Sequence, residues 1–570
     1  MAPGRAAGTG VDGGERAVRL GLAAFVALVA FWPVARLLAE AVAPGGHPGL
    51  LVLAQTWAAP ATRIALGHTL VASGLGTILA TLLGAGLALV VALTDIRGKT
   101  AMVVTFMLLL MVAPQVLALA WAQLAGPGSP LLGALGLAPR PGSRNPLYSP
   151  GGVVLLFGLH HAPLVFLAVR AALRQVPRAL LEAAQVSGAG AWRSLLTIVL
   201  PLAGPAIAAG AGLAFVSCIG NFGIPALLGI PAGYSVLVTL IYQRLSGFGP
   251  SVLPEVAAIA LGLGLIAGLA LALQGWLRGL MQVGGADAGP AATGWQLGRW
   301  RPAAEALIWA LLLAALVLPL AALLAQSLVP AIGVRLSTTT ATLANYTYVL
   351  GEDAAARRAF TNSFLLAGTA AGILLLLAVP LAVLGEWRRS RAIALLSLAA
   401  ELPYALPGVV LAMAMILVFL RPLPLIGISL YSTPWIILLA YLARFLTLAW
   451  RPVTAGLAQV DRHLDEAAQG AGAGFLYRLR TVLYPLLAPA AGAGAILVFL
   501  TAFNELTVSA LLWSSGSETV GVTIFSLDQG GESSAAAAVS VLSVLATLAL
   551  IGLASLLARR LPPGVLPWRA

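Results

Sequence analysis

Long apolar stretches, separated by short polar segments, dominate the chain. Helices satisfy their own backbone hydrogen bonds in lipid, and about 20 apolar residues suffice for one helix to cross a bilayer. No strand-type alternation of apolar and polar positions competes with this pattern. The sequence therefore predicts an all-α integral membrane protein with twelve spans, near residues 20–42, 65–93, 101–123, 151–171, 205–228, 252–276, 304–327, 361–385, 392–419, 433–450, 489–512 and 535–558.

The orientation of these spans follows from the distribution of basic residues. With the amino terminus inside and the spans alternating, the inner segments hold 22 of the 32 basic residues. The positive-inside rule therefore predicts that both termini are cytoplasmic. The first apolar stretch, from about Leu20 to Val42, is longer than the core of about 7–15 residues in a signal peptide. We expect it to be an uncleaved first span.

Composition agrees with the membrane class and excludes several functions. Of 570 residues, 60% are hydrophobic and 9% are charged, whereas soluble domains carry about 25% charged residues. The net charge of +13 is spread along the chain, so we expect membrane lipid and no nucleic acid as a partner. The single cysteine, Cys218, excludes a disulfide framework and a cysteine-based metal site. We expect no metal site and a structural role for this buried thiol.

A polar segment rich in small residues occurs twice. EAAQVSGAGAWRSLLTIVLP begins at Glu182, and EAAQGAGAGFLYRLRTVLYP begins at Glu466. Identities at the same offset in residue number continue through Pro205 and Pro489 to Thr239 and Thr523. We therefore expect two six-helix halves in the same orientation, with a pathway on the axis between them. The predicted boundaries are 1–283 for the first half, 284–303 for a cytoplasmic linker and 304–570 for the second half.

Each copy of the segment has the properties of a surface-lying bent helix. It opens with a carboxylate and small, helix-forming residues, and the helix dipole favours an acid at that end. Gly188 and Gly472 then permit a sharp bend. An apolar and basic stretch follows, and we expect the next span to begin at Pro201 or Pro485. Such an element, presented once per half on the cytoplasmic face, suits a groove on a cytoplasmic partner.

The spacing of this segment resembles the EAA loop of bacterial ABC importer permeases. The first copy matches the pattern at Glu182, Ala183, Ala184, Gly188, Ile198, Leu200 and Pro201. The second keeps Glu466, Ala467, Ala468, Gly472 and Pro485, and departs from it at Val482 and Tyr484. With two copies in two apolar halves, the whole chain resembles a fused two-half permease of the binding-protein-dependent type. The resemblance implies the type I ABC importer permease fold.

The same resemblance implies the partners. Each EAA loop would form a coupling helix on one of two cytoplasmic ABC ATPase subunits, and a periplasmic solute-binding protein would deliver the substrate. The chain would then be a multi-pass protein of the bacterial inner membrane, with no cofactor and no ATP hydrolysis of its own. The Gly98-Lys99-Thr100 triplet lacks the preceding glycine of a phosphate-binding loop, since Leu93 stands there.

The substrate expectation also comes from resemblance. The segments that start at Asn221 and Phe503 resemble those of fused ferric iron permeases, which ranks iron(III) first and leaves thiamine or phosphonate as alternatives. Polar residues inside a membrane are costly and tend to face a cavity. Asn221, Asn504 and Glu505 are therefore pathway or gate candidates, with polar helix ends at the headgroup level as the alternative.

Three further polar positions lie within predicted spans. For His160 and His161, a hydrogen bond to a neighbouring helix is favoured over a ligand role. Arg444 is expected to extend its guanidinium to the inner face. The prolines of LPYALPG, next to Glu401, are expected to break or kink the ninth span.

Two other classes of function remain open. A secondary carrier can also have twelve spans in two halves, but it should show several membrane-embedded acids and has no use for EAA loops. A membrane-embedded enzyme should show a catalytic cluster, and the sequence contains no such motif.

Overall fold

The computed structural model describes residues 12–44, 50–140, 142–280, 295–388, 391–423 and 427–557. The regular elements in these ranges are helices, apart from one isolated backbone bridge between Thr94 and Trp295. In the first half the longer helices are α1 Gly13–Val42, α2 Pro60–Leu93, α3 Lys99–Met111, α4 Pro114–Ala125, α5 Pro150–Leu173, α6 Arg178–Val186, α7 Ala191–Gly220, α8 Leu237–Phe248 and α9 Leu253–Leu280.

The second half repeats this series in the same order. Its longer helices are α10 Gly298–Ser327, α11 Ala354–Trp387, α12 Arg391–Ala405, α13 Gly408–Phe419, α14 Pro434–Leu457, α15 His463–Gly470, α16 Phe475–Phe503, α17 Val520–Gln529 and α18 Ser533–Leu557. Shorter helical segments lie at Leu51–Ala58, Pro130–Ala134, Pro225–Gly229, Ala344–Thr347, Tyr348–Glu352 and Ser509–Leu512. The predicted parallel repeat is confirmed, because α14 begins and ends at the same offset from α5 that separates Glu466 from Glu182.

The third span of each half is broken. Ten helices are long and apolar enough to cross a membrane, and two bent pairs raise the number to twelve if each pair counts as one span. α3 and the helical stretch from Pro114 meet at 101°, and α12 and α13 meet at 111°. The bend in the span predicted near 101–123 was not expected from the sequence. The predicted break in LPYALPG is confirmed, because proline cannot continue the helical hydrogen bonding.

A wide helical turn precedes a proline in four spans. Such π-turns occupy Ala27–Phe31, Leu195–Val199, Leu313–Val317 and Leu479–Leu483, and each ends shortly before one of Pro33, Pro201, Pro319 and Pro485. A proline inside a helix lacks a donor and crowds the preceding turn, and the wider π-turn accommodates it. The prediction that new spans begin at Pro201 and Pro485 is therefore wrong: α7 and α16 begin at Ala191 and Phe475 and continue through these prolines.

The spans after the EAA loops end earlier than predicted. α7 stops at Gly220 and α16 at Phe503, not near residues 228 and 512. The residues that follow form the separate buried segments Pro225–Gly229 and Ser509–Leu512. Two unpredicted helices, α8 and α17, come next. Each half therefore ends its fifth span with a folded-back region before the last span.

The first helix of each half crosses to the other half. α1 packs against α11, α12 and α13, and the Trp32 and Phe419 rings lie 6.4 Å apart. α10 packs against α3 and α4, and the Trp121 indole donates to the Ala315 carbonyl at 3.2 Å. This exchange joins the two halves into one core.

Ion pairs hold the amino-terminal end of each crossing helix. Asp95, between α2 and α3, lies 3.5 Å from Arg301 of α10, and the backbone N–H of Leu297 donates to its carboxylate at 3.0 Å. This hydrogen bond and the Arg301 charge lower the pKa of Asp95. In the other half, Arg388 lies 3.7 Å from Glu15 of α1. Both crossing helices are therefore attached to the opposite half by opposite charges.

The predicted linker is only partly described. Residues 284–294 lie outside the described residues, and from Trp295 the chain leads directly into α10. The connection between α4 and α5 contains the short helix Pro130–Ala134, and the connection between α10 and α11 contains Ala344–Thr347. These two connections meet where the Leu336 N–H donates to the Pro130 carbonyl at 3.5 Å.

Candidate functional site

The EAA segments are bent helices, as the sequence predicts. After α6, Gly188 has φ +80°, and the Ala189 N–H donates to the Ala184 carbonyl at 2.9 Å. After α15, Gly472 has φ +87°, and the Ala473 N–H reaches the Ala468 carbonyl at 3.1 Å. This hydrogen bond across a left-handed residue is the Schellman ending of a helix, which glycine adopts without strain.

Both EAA segments present acidic and apolar side chains to solvent. Glu182 and Glu466 are exposed. Leu180 and its counterpart Leu464 are 42% and 50% exposed. The exposed set also includes Val186, Trp192, Leu196, Leu476 and Tyr477. Large apolar side chains beside charges on an exposed loop are typical of a protein-binding surface.

The second EAA segment contains a buried ion pair that the first half replaces with uncharged residues. Arg478 of α16 lies 3.3 Å from Asp465 of α15, and both side chains are at most 10% exposed. The matching residues of the first half are Leu181 and Ser194, which are also buried. The same packing position is therefore held by charges in one half and by an apolar and a hydroxyl side chain in the other.

The amino-terminal end of α1 is attached to the second EAA segment. The Asp12 carboxylate accepts a hydrogen bond of 2.5 Å from the Phe475 N–H, the first residue of α16. It also accepts from the Gly14 N–H at 3.3 Å and so caps α1. These two backbone donors, Phe475 first, lower the pKa of Asp12. Sequence reasoning missed this residue because its partner is 463 positions away.

The pathway candidates Asn221 and Glu505 form matching local caps. Both are 7% exposed. The Asn221 side-chain oxygen accepts from the Ile224 N–H at 3.1 Å. The Glu505 carboxylate accepts from the N–H groups of Val508 and Ser509 and from the Ser509 hydroxyl at 2.9–3.2 Å. Each side chain therefore caps the turn that follows its own span, and the pathway role of both residues stays a prediction.

Asn504 lies at the contact between the halves. Its backbone carbonyl accepts from the Gln115 amide of the first half at 3.1 Å. Its side chain bonds to Ser543 and Thr547 of α18 at 3.0 Å. A small cleft beside it is lined mainly by apolar residues of α3, α4 and α18, including Met111 and Val544. Asn504 therefore joins the boundary between the halves to the last span.

Aromatic side chains that the sequence analysis did not single out close the same boundary. Phe222 and Tyr242 of the first half contact Phe525 of the second at ring-centroid distances of 5.7 and 5.6 Å, and each other at 5.2 Å. Phe222 and Phe525 are buried. The repeated Val-x-Val-Thr pattern at 236–239 and 520–523 was the available signal, since it marks the starts of α8 and α17, which carry Tyr242 and Phe525.

The intramembrane histidines make hydrogen bonds, as favoured from the sequence. His160 Nδ1 lies 3.0 Å from the Leu109 carbonyl of α3. His161 Nδ1 lies 2.9 Å from the Phe157 carbonyl of its own helix and 3.4 Å from Cys218 Sγ of α7. Among the described residues, no group of three or more His, Cys, Asp or Glu side chains could hold a metal ion.

The expectation that Arg444 extends to the inner face is wrong. Its Nη1 atom lies 3.5 Å from the Leu406 carbonyl, at the break between α12 and α13. The guanidinium can come this close because residue 408 is a glycine. A Cβ on Gly408 would lie 2.8 Å from Arg444 Nη1. Glu401 instead pairs with Arg451 at 2.8 Å, in an exposed position.

Two parallel halves of up to six spans, each with a bent and exposed loop before its fifth span, define a membrane transport permease. The family model described as "binding-protein-dependent transport system inner membrane component" matches residues 84–282 and 375–566, which is more than half of the chain. The chain belongs to this family, and the two matches correspond to the two halves.

Curated relatives include transport permeases with different named substrates. A probable ABC transporter permease of Sinorhizobium fredii is 32% identical over 63% of this chain and 63% of its own length. A ferric transport system permease of Actinobacillus pleuropneumoniae is 26% identical over 69% of this chain and 56% of its own length. A putative 2-aminoethylphosphonate permease of Salmonella typhi is 31% identical over 25% of this chain and 53% of its own length. The chain thus spans less than two thirds of each of these relatives.

Proposed function

We propose that this chain is the transmembrane component of an ABC importer, with both halves of the translocation pathway fused in one polypeptide. The observation that carries the proposal is the pair of exposed, bent EAA segments at matching places in two parallel halves. A secondary carrier has no need for such a pair. Both termini lie in the cytoplasm in this proposal, in agreement with the distribution of basic residues.

The EAA segments are the proposed contacts with two ATPase subunits. Glu182, Ala183, Ala184, Gly188 and Pro201 in the first half correspond to Glu466, Ala467, Ala468, Gly472 and Pro485 in the second. The glycine turn sets the angle between α6 and α7 and between α15 and α16. Force applied by an ATPase to α6 or α15 would therefore pass into the span that follows. ATP is hydrolysed by the partner subunits, and a solute-binding protein presents substrate at the outer face.

Iron(III) is the proposed substrate. The ferric relative of Actinobacillus pleuropneumoniae aligns over 415 residues and therefore includes parts of both halves. The putative phosphonate permease aligns over 145 residues, which is less than one half. The two-half alignment with a ferric permease is the support for iron, and phosphonate and thiamine remain the alternatives. Proteoliposomes that contain the permease, its ATPases and its binding protein would decide this by comparing ATP-driven uptake of ferric ion, thiamine and 2-aminoethylphosphonate. Uptake of only one of the last two would reject iron.

The docking role is tested by co-purification of the solubilised permease with its ATPase subunits. A variant that combines Glu182→Ala and Glu466→Ala with Gly188→Val and Gly472→Val should lose the ATPase. The structure supports a matched control, Gly190→Val. A Cβ at Gly188 or at Gly190 would meet open space, but only Gly188 has a positive φ. The control should therefore retain the ATPase.

Two results would contradict the docking role. One is a combined variant that elutes as a folded protein and still binds the ATPase as well as wild type. The other is a wild-type permease that binds no ATPase, which would favour the secondary-carrier alternative.

A further inference from the structure

A groove opens on the exposed surface of the first half, between α2, α9 and the short helix Leu51–Ala58. Its volume is about 420 Å³, and apolar side chains line it, among them Trp57, Leu70 and Leu265. Leu70 and Leu265 are 42% and 58% exposed, so the groove is open to whatever surrounds the spans. We call it the Trp57 groove.

The aromatic ring that shapes the Trp57 groove is held in place. The Trp57 indole N–H donates to the Ala258 carbonyl of α9 at 3.2 Å. The ring lies against Gly262, where a Cβ would collide with it. The position of the ring is therefore fixed by a hydrogen bond and by a glycine that leaves room for it.

The groove lies at the depth of lipid acyl chains. With a helical rise of about 1.5 Å per residue, Leu70 lies roughly 15 Å along α2 from its start at Pro60. Leu265 lies roughly 18 Å along α9 from its start at Leu253. Both positions fall within a hydrocarbon core that is about 30 Å thick. The surroundings of the groove are therefore hydrocarbon and not water.

The volume of the groove matches one acyl chain. An engineered protein cavity of about 150 Å³ holds one benzene molecule, which has six carbon atoms. By the same ratio, about 420 Å³ holds roughly 16 carbon atoms. The groove therefore has room for a single lipid chain.

An exposed positive charge lies at one end of the groove. Arg63, in the first turn of α2, donates from Nε and Nη2 to the carbonyl of Ala58, the residue after Trp57. Three of the five guanidinium N–H donors remain available. The ion pairs among the described residues do not include Arg63, whereas Glu255, at the same end of α9, pairs with Arg244 at 3.3 Å. This end of the groove is therefore positively charged.

We propose that the Trp57 groove binds one phospholipid with an anionic headgroup. One acyl chain lies in the groove, and the headgroup phosphate accepts hydrogen bonds from the remaining donors of Arg63. Arg63 lies only roughly 5 Å along α2, which places it at the level of the headgroups. The proposal requires only that the chain spans a membrane, so it does not depend on the importer function.

The second half provides a matched arginine. Arg357 is the fourth residue of α11, as Arg63 is of α2, and both are exposed. Phe364 follows Arg357 at the spacing at which Leu70 follows Arg63, and its ring packs 5.1 Å from the Phe499 ring. An aromatic contact therefore occupies the corresponding face of the second half.

Thermal unfolding of the delipidated permease in detergent tests the headgroup contact. Phosphatidylglycerol and phosphatidylcholine with identical acyl chains are the probes, and each is added in increasing amounts. Since a ligand of the folded state raises the melting temperature, phosphatidylglycerol should stabilise wild type at lower concentrations than phosphatidylcholine does. Arg63→Gln should raise the phosphatidylglycerol concentration for half-maximal stabilisation about tenfold, because it removes a charge-assisted hydrogen bond. Arg357→Gln should titrate as wild type does.

A second pair of variants tests the groove itself. Leu265→Trp places a larger ring in the groove and should abolish most of the stabilisation by phosphatidylglycerol. Leu269→Trp is the control, because Leu269 lies one turn further along α9, is 70% exposed and does not line the groove. This control should titrate as wild type does.

Three results would overturn the lipid site. The first is equal stabilisation of wild type by the two phospholipids, or none by either. The second is an Arg63→Gln or Leu265→Trp variant that titrates with phosphatidylglycerol as its control does. The third is a wild-type dimer in detergent that Leu265→Trp alone converts into a monomer, which would assign the groove to a second copy of the chain.

Discussion

His160 and Arg444 occupy matching positions in α5 and α14, and each reaches a backbone carbonyl of the broken span beside it. His160 Nδ1 lies 3.0 Å from the Leu109 carbonyl, and Arg444 Nη1 lies 3.5 Å from the Leu406 carbonyl. The end of a helix leaves carbonyls without helical donors. A neighbouring helix therefore supplies the missing donor in both halves, with a different residue type in each.

Replacement of His160 should destabilise the protein more than replacement of its neighbour. His160→Ala removes the side-chain donor to the Leu109 carbonyl, and we expect a loss of about 1–3 kcal/mol. His161→Ala is the control, because it creates a similar cavity while the Phe157 carbonyl keeps its helical donor. Thermal unfolding in detergent measures the difference. Equal losses for the two variants would show that the hydrogen bond contributes nothing beyond packing.

The buried Asp465–Arg478 pair should be replaceable by the residues of the first half. Arg478→Ala leaves Asp465 buried without its partner and should cost about 3–5 kcal/mol of stability. Asp465→Leu/Arg478→Ser copies Leu181 and Ser194 and should recover most of this loss, as measured by thermal unfolding in detergent.

A second ion pair calibrates that measurement. Arg462 and Glu466 lie 3.0 Å apart with both side chains at least 50% exposed. Arg462→Ala should therefore cost less than about 1 kcal/mol. If the Asp465→Leu/Arg478→Ser variant unfolds as early as Arg478→Ala, the two halves do not pack equivalently at this position.

The side-chain oxygens of Glu505 should contribute to stability because they accept hydrogen bonds. Its negative charge should matter only for transport. Glu505→Ala removes the acceptor of the Val508 and Ser509 donors and should lower stability by about 1–2 kcal/mol, as loss of a helix cap does. Glu505→Gln keeps one oxygen and should unfold close to wild type. Asn221→Ala loses a single N–H contact and should cost less than Glu505→Ala. A Glu505→Gln variant that is stable and transports normally would exclude a role for the charge in the pathway.

Neutralising Asp528 should raise the melting temperature at pH 7.5, whereas neutralising Asp12 should lower it. Burial raises the pKa of Asp528 above its ordinary value of 3.8, and the Ser533 hydroxyl only partly opposes this. Its ionised form is therefore destabilising above the folded-state pKa, and this cost disappears as the pH falls. Asp528→Asn should raise the melting temperature at pH 7.5, and the gain should shrink as the pH approaches 4.

Asp12 provides the comparison for that experiment. Backbone donors lower its pKa, so its ionised form contributes stability above the ordinary pKa that is lost at lower pH. Asp12→Asn should therefore lower the melting temperature at pH 7.5. The same direction of change in both variants would contradict this account of the two carboxylates.

The sequence predicted the features that depend on long patterns. Apolar windows predicted the spans, and the constant offset between the two EAA copies predicted two parallel halves. The left-handed turns at Gly188 and Gly472 followed from the residue type. The bends after Met111 and Ala405 were harder, because an apolar window is the same for a straight and a broken helix. The prolines of LPYALPG marked one of them, and Pro114, which begins α4, was the available signal for the other.

Other features depend on contacts between distant residues and carry no local signal. Asp12 is an ordinary helix cap until Phe475 lies beside it, and Phe525 is one more apolar residue until Phe222 packs against it. The partner of Arg444 also lies far away in sequence. A lone arginine in the middle of a span suggests that its side chain extends to the membrane surface, whereas in the structure it reaches the Leu406 carbonyl at the helix break.

The crossing of α1 to the second half has a consequence for biogenesis. Trp32 and Phe419 meet in the fold, although most of the chain separates them in sequence. α1 is synthesised first, yet its packing partner α13 is inserted only after the entire first half and much of the second. Although α9 of the first half also packs against α1, the first half alone lacks the helices α11, α12 and α13 that cover the rest of it. Assembly of the membrane domain is therefore completed only late in translation.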